Sequence, residues 1–263
     1  MSFLDVPGAR LYYETHGDGP LFIMVPGASG TADSFRMVAT HLGVHYTVVL
    51  YDRRGFSRSQ LDGRQDYAHR LQTDADDTRR LIEHLGAAPV TVFGASSGGI
   101  VALELVTRHP AVVSTLVPFE PPAVLQLPGG QSWLDFFHEV YDLYRRTGIG
   151  PAMQEFRERA FSDIDRRAMA GAPKNEANAR YWFEHELRQY PAVELDLDAL
   201  ARHAGRITLT VGHEARGYPA HEVNVVLGRK LGRDVIELPG GHVGCMSHAE
   251  EFARELMQAL GQC

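Results

Sequence analysis

Val90-Thr91-Val92-Phe93-Gly94-Ala95-Ser96-Ser97-Gly98-Gly99-Ile100-Val101-Ala102 is the stretch on which the reading of this chain turns. Val90 to Phe93 is a short β-branched and aromatic run, and Ile100 to Val106 is apolar enough for a helix buried against a sheet. Between them stands Gly94-x-Ser96-x-Gly98. A strand that turns directly into a helix leaves almost no room for side chains beside the turn, and it lifts the serine oxygen clear of the sheet. Ser96 is therefore the candidate nucleophile, and the amide of Ser97 would point at a developing oxyanion from the start of the helix. By itself so short a pattern is also compatible with a turn that carries no chemistry. A dinucleotide-binding turn is a poorer fit, because the glycines run Gly94-x-x-x-Gly98-Gly99 rather than Gly-x-Gly-x-x-Gly, and no Gly-x-x-x-x-Gly-Lys-Ser/Thr phosphate loop occurs.

Outward from this turn, short apolar runs alternate with segments of helical period. The strand candidates are Leu21 to Val25, Tyr46 to Tyr51, Pro89 to Phe93, Val112 to Phe119, Ile207 to Val211 and Val235 to Leu238. Most are apolar throughout, as strands covered on both faces should be. Leu71, Ala75, Thr78, Ile82 and Leu85 recur at three- and four-residue steps, as do Phe252, Leu256 and Leu260, which predicts amphipathic helices lying on a sheet. This is the rhythm of βα units around a parallel sheet. Arg10 to Thr15 reads as an antiparallel strand at the sheet's edge, closed by Gly17-Asp18-Gly19-Pro20. After Glu120 the rhythm breaks: to about Pro191 there are three or four helical stretches, punctuated by Pro128-Gly129-Gly130, Gly148-Ile149-Gly150-Pro151 and Gly171-Ala172-Pro173, and no convincing strand. A helical excursion of that length between two strands of one sheet predicts a cap.

Composition narrows the function classes. The 263 residues are 44% hydrophobic and 22% charged, values of an ordinary globular chain long enough for one large domain with an insertion. The net charge is −7, with 26 basic residues against 33 acidic and no basic run, so nucleic acid and anionic membranes are not expected partners. No stretch approaches the apolar length a bilayer requires, and Met-Ser-Phe-Leu-Asp does not resemble a signal peptide. Two cysteines, Cys245 and Cys263, do not make a disulfide framework. A soluble, cytoplasmic protein is the expectation; the oligomeric state is not legible.

A serine of ordinary acidity is a poor nucleophile and requires a histidine held by a carboxylate. Of 13 histidines, His242 stands apart: it lies in Pro239-Gly240-Gly241-His242-Val243-Gly244, just past the last strand candidate and before the last helix. That position is a loop at the carboxyl edge of the sheet, the edge that also carries Ser96. In order along almost the whole chain, Val25-Pro26-Gly27-Ala28, Asp52-Arg53-Arg54-Gly55-Phe56-Ser57-Arg58-Ser59, the serine turn and Gly241-His242 resemble the motifs of the α/β-hydrolase superfamily. The resemblance implies a mostly parallel α/β sheet with helices on both faces, a core formed by residues 1–123 and 192–263, and a helical cap over 124–191 inserted after strand six. It implies Ser96 as nucleophile, His242 as base, and the amides of Ala28 and Ser97 as the oxyanion hole. Pro26 replaces the family's usual histidine but leaves the Ala28 amide available.

The acid departs from the commonest pattern. The family often carries it after strand seven, in a Gly-x-x-Asp, but Val211-Gly212-His213-Glu214-Ala215 has Ala215 at that point. In a subset resembling zearalenone-hydrolase-like lactonases the acid is a glutamate after strand six, and Pro118-Phe119-Glu120-Pro121-Pro122 supplies one. Glu120 is the choice, with Glu214 as its competitor, and Pro121 should confine Glu120 to extended geometry. Metal chemistry finds little support: His41 and His45 flank Gly43 with no carboxylate nearby, and no His-Glu-x-x-His or Cys-x-x-Cys occurs. Cys245 reads as a packing residue.

The resemblance thus implies acyl transfer through an acyl enzyme, without cofactor or metal, on an ester or lactone. Carbon–carbon hydrolysis of a diketone uses the same triad, and a non-catalytic ligand receptor could keep the same pocket. An aspartate nucleophile of the dehalogenase or epoxide-hydrolase kind is not present at position 96. Eleven of the 24 aromatic residues fall in the 68 positions from Val124 to Pro191, among them Trp133, Phe136, Phe137, Tyr141, Trp182 and Phe183. Part of that set must pack the cap itself; the rest suits an apolar pocket for a bulky hydrophobic or aromatic small molecule.

Overall fold

The computed structural model describes residues 2–86, 88–171 and 175–261; Cys263 and the Ala172-Pro173 part of the third predicted punctuation lie outside the described residues. Among the described residues eight strands form the main path of the sheet: β1 (Ser2–Val6), β2 (Ala9–His16), β3 (Leu21–Val25), β4 (Thr47–Tyr51), β5 (Val90–Ala95), β6 (Val113–Phe119), β7 (Leu209–Gly212) and β8 (Val235–Leu238). Their order is β1-β2-β4-β3-β5-β6-β7-β8, and a ninth, two-residue strand, Gln60–Leu61, pairs with β2. β1 and β2 form an antiparallel hairpin, β2 lies antiparallel to β4, and every pairing from β4 to β8 is parallel.

The helices are α1 (Arg36–Leu42), α2 (Arg70–Leu85), α3 (Ser97–Arg108), α4 (Gly130–Thr147), α5 (Ile149–Ala160), α6 (Asp163–Ala170), α7 (Glu176–His185), α8 (Leu197–Arg202), α9 (Pro219–Leu231), α10 (Gly244–Ser247) and α11 (Ala249–Ala259). Strand periodicity of two divides the core between the faces. Ile23, Val25, Val49 and Val92 pack with Ile82, Val101, Leu105, Val223 and Leu227 of α2, α3 and α9, whereas Phe22, Met24, Val48 and Phe93 pack with Val38, Leu42, Phe252 and Leu256 of α1 and α11. Both faces are covered, which is why the central strands carry no polar alternation.

One strand expectation is corrected. The segment predicted as the edge strand, Arg10 to Thr15, lies inside β2, with β1 beyond it. Ser2 to Val6 is mostly exposed and has one buried side chain, Val6, so it offers no periodic signal of its own; the hairpin with β2 makes it a strand.

Helices α4 to α7 stand between β6 and β7, where the sequence predicts three or four. Their own core joins Phe136, Phe137, Val140, Tyr144, Trp182, Phe183 and Leu187. A buried ionic cluster ties the end of this insertion to the sheet. Arg53 donates to Asp74 Oδ2 and Glu186 Oε2 at 2.8 Å each, Arg70 donates to Glu186 Oε1 at 2.8 Å, and Tyr190 donates its hydroxyl to Asp74 Oδ2 at 2.6 Å. Burial opposes the charge on Asp74, but Arg70 and Arg53 hold its carboxyl below the ordinary range. Arg53 also donates to the Gly27 carbonyl at 2.8 Å, which fastens the loop after β3 to the same cluster.

Candidate active site

β5 runs two residues beyond Phe93, so Ser96 is the first residue past the sheet and Ser97 the first of α3. Ser96 has φ 55° and ψ −124°, a conformation that costs a residue with a side chain about 1–3 kcal/mol and persists only where neighbours enforce it. Here its N–H donates to the Phe119 carbonyl at 2.9 Å and its own carbonyl accepts from Gly99 at 2.8 Å. A side chain at Gly98 would overlap the Val25 and Pro26 carbonyls, so only glycine lets α3 begin this close to the end of β3. The loop after β3 closes on the serine from the other side, with the position a Gly27 Cβ would take 3.0 Å from Ser96 Cβ. Ala28, next in that loop, is half-buried. Neither its amide nor that of Ser97 donates a hydrogen bond among the described residues, which for the first amide of a helix follows from geometry.

At the end of β6, Glu120 is buried and meets His242 directly. Its Oε2 accepts from His242 Nδ1 at 2.6 Å and its Oε1 accepts from the Gly212 amide at 2.8 Å. The extended backbone expected from Pro121 is not found: Glu120 has φ 47°. The preference imposed by a following proline is overruled because the Glu120 N–H reaches the Thr210 carbonyl at 3.3 Å while both carboxyl oxygens are engaged. Glu214 lies in the turn after β7, where its N–H donates to the Gly240 carbonyl at 3.1 Å, and among the described residues its carboxyl makes no hydrogen bond or ion pair with His242, which pairs with Glu120 instead. The Ser96 hydroxyl has no hydrogen-bond partner among the described residues; Ser96 is joined to the glutamate's strand through the Phe119 carbonyl. Catalytic hydrogen bonds often close only with substrate in place.

His242 sits in the loop between β8 and α10, with its side chain 9% exposed. Burial pulls its pKa down, but the hydrogen bond and charge of Glu120, with the charge of Asp165, hold it above the ordinary imidazole value. Two aromatic rings adjoin the imidazole, Phe119 at 6.5 Å and Phe161 at 4.9 Å between centroids. Cys245 is buried near Asp165 and its thiol is pushed up to about 12, mainly by burial, so it stays un-ionised.

The six aromatic residues singled out in the insertion share one apolar cluster with Ala28 and Phe56. Phe136, Phe137, Trp182 and Phe183 are buried within it, whereas Trp133 and Tyr141 are partly buried. Tyr141 lies beneath Arg188 and donates to Glu184, and Trp133 and Phe136 lie beneath Arg159. The path from this cluster to the histidine runs from Trp182 through Phe156 to Phe161, at 5.0 and 5.3 Å. Phe161 and Asp165 are the residues beside His242 that the sequence reading misses; Ser162-x-x-Asp165 announces only a helix start. Among the described residues no group of three or more His, Cys, Asp or Glu side chains is placed to hold a metal ion, and no helix is long and apolar enough to cross a membrane.

Comparison with known proteins bears on the family and the fold. A family model described as alpha/beta hydrolase fold matches residues 20–193. An uncharacterized hydrolase, YraK of Bacillus subtilis (strain 168), is 33% identical over 264 residues, spanning 98% of this chain and 94% of that one. A thermophilic esterase from Thermogutta terrifontis superposes with a TM-score of 0.77 at 20% identity, covering 100% of this chain and 99% of its own. The enol-lactonase of Burkholderia xenovorans LB400 superposes with a TM-score of 0.75 at 17% identity, covering 99% and 100%. At such identities the two structures speak for the fold alone.

Proposed function

The chain belongs to the α/β-hydrolase fold family, and on that premise we propose that it is an enzyme, a serine hydrolase that opens an ester or lactone of a hydrophobic or aromatic small molecule. The observation that carries this reading is the 2.6 Å bond between Glu120 and His242 at the sheet edge where Ser96 leaves β5. Esterase and lactonase neighbours of the same fold accord with it.

His242, its Nδ1 committed to Glu120, takes the Ser96 proton at Nε2 as the serine oxygen attacks the carbonyl carbon. The carbonyl π electrons move to oxygen, where the amides of Ala28 and Ser97 receive them. Collapse expels the alkoxide, which takes the proton back from His242, and water then repeats the sequence on the acyl enzyme. Glu120 fixes the tautomer and stabilises the imidazolium without itself being protonated. Residues 124–191 act as a cap, and the Trp182-Phe156-Phe161 path supplies an apolar wall leading to the imidazole.

The test is a panel of aryl esters, lactones and diketones followed by mass spectrometry, with fluorophosphonate labelling in parallel. Steady release from esters or lactones and a labelled Ser96 are expected, with kcat/KM higher for aromatic or long-chain groups than for small acetates. A single turnover would make the protein a receptor, and cleavage confined to diketones would move it to carbon–carbon hydrolysis.

A further inference from the structure

The buried carboxyl group of Asp165 has no place in the triad. It lies on α6, in the cap, and is fully enclosed. Ser162 caps α6 by accepting the Asp165 N–H at 3.3 Å, and its hydroxyl donates to Asp165 Oδ2 at 2.7 Å. In an ordinary capping box the acidic side chain would return to the amide of the capping residue. Here Asp165 Oδ1 leaves the helix and accepts the N–H of Val243, the residue after the catalytic histidine, at 3.0 Å. The loop is shaped for this contact, because a side chain at Gly241 would overlap both carboxyl oxygens. No arginine or lysine pairs with Asp165 among the described residues, so its charge is buried with the imidazole as the basic group beside it.

We propose that Asp165 is a positioning residue for the histidine: from the cap it grips the Val243 amide, fixing the Gly240-Gly241-His242 loop against Ser96, and it sets a second negative charge beside the imidazolium formed during attack. The proposal rests on the reading of Ser96, His242 and Glu120 as the triad. A buried carboxylate without a cation is costly, and formation of a positive imidazole offsets that cost at the moment of attack. Among the described residues the charges acting on the ring are Glu120, bonded to it from the end of β6, and Asp165, which reaches the adjoining Val243 amide from α6, and the un-ionised Cys245 of α10 lies close to Asp165. Removal of the Asp165 charge should therefore lower the pKa of His242.

Asp165→Asn keeps an oxygen for the Val243 amide and removes the charge. Measured beside the wild type with an aryl ester, it should lose about tenfold in kcat with little change in KM, and the acid limb of kcat/KM should move to lower pH by about half a unit or more. Ser162→Ala weakens the helix cap but leaves the charge, so its acid limb should stay in place. Wild-type kcat and an unmoved acid limb in Asp165→Asn, or an equal shift in Ser162→Ala, would overturn the proposal. If Asp165→Asn does not fold, Gly241→Ala displaces the same carboxyl group without removing it, and wild-type kcat in that variant would be equally decisive. Fluorophosphonate labelling of wild-type Ser96 separates the two failures. A labelled serine with an indifferent Asp165 leaves the triad standing, whereas an unlabelled wild type removes the triad itself.

Discussion

The ionic cluster that ties the helical insertion to the sheet and the cluster around His242 are both buried and both built on carboxylates, but their charges are arranged differently. In the first, Arg53 and Arg70 face Asp74 and Glu186, one cation for each anion, with bonds of 2.8 Å from both arginines. In the second, two carboxylates stand against a single imidazole: Glu120 bonds its Nδ1 and Asp165 holds the amide of the next residue, and their charges raise the pKa of His242. A balanced cluster has its electrostatics satisfied at rest and serves to hold elements together. An unbalanced one is fully satisfied only when its base is charged, so under the proposed function its stabilisation would be drawn on during the reaction.

The largest effect should come from Ser96→Ala, which removes the reacting atom. Turnover should fall by about 10⁶-fold and fluorophosphonate labelling should vanish while the circular dichroism spectrum is retained. An adduct mapped to Ser97 or Cys245 would break the assignment. Next, Glu120→Gln should cost on the order of 10⁴ in kcat with little loss of stability, and its acid limb should move to lower pH because the charge that raises the His242 pKa is gone. If Glu120→Gln kept its turnover, the contrast between the clusters would lose its catalytic half.

The opposite behaviour is expected in the cluster beneath the helical insertion. Glu186→Ala leaves Arg53 and Arg70 facing each other without their shared carboxylate, and should cost about 3–5 kcal/mol in urea unfolding. Its kcat, corrected for the folded fraction, should fall by less than about tenfold. Replacement of the arginines and acids together by apolar residues of similar volume should recover much of the stability, which distinguishes an unpaired buried charge from a lost attraction. The smallest effect should be that of Glu214→Gln, within about twofold of wild-type kcat, since its carboxyl does not reach the histidine.

The residues legible in the sequence are those whose placement is a property of the local backbone. Gly94, Ser96 and Gly98 declare a turn that only small flanks permit, Glu120 follows directly on an apolar strand, and His242 stands in a glycine-rich loop a few residues past the last strand. The parallel sheet was readable because strands buried on both faces carry unbroken apolar runs. What escaped depends on contacts distant in sequence. β1 exists through its pairing with β2, and the backbone of Glu120 is set by Thr210, Gly212 and His242 rather than by Pro121. Asp165 and Phe161 look like ordinary residues around a helix start until α6 is packed against the His242 loop, the Asp165–Val243 bond spanning 78 positions.

The bond from the Glu120 N–H to the Thr210 carbonyl joins the two places where the chain leaves and re-enters the sheet. Exit and re-entry so close together would let the helical segment be exchanged, like a tool head on a fixed handle, provided that the replacement also supplies a carboxylate to Arg53 and Arg70 in place of Glu186. Under the proposed function, proteins sharing this sheet would acquire new substrates by trading modules instead of rebuilding the reaction centre. The Asp165–Val243 bond limits that trade. An incoming module without an acceptor at that point would bring its own pocket and leave the histidine loop unmoored, so chimeras should bind new compounds more readily than they turn them over.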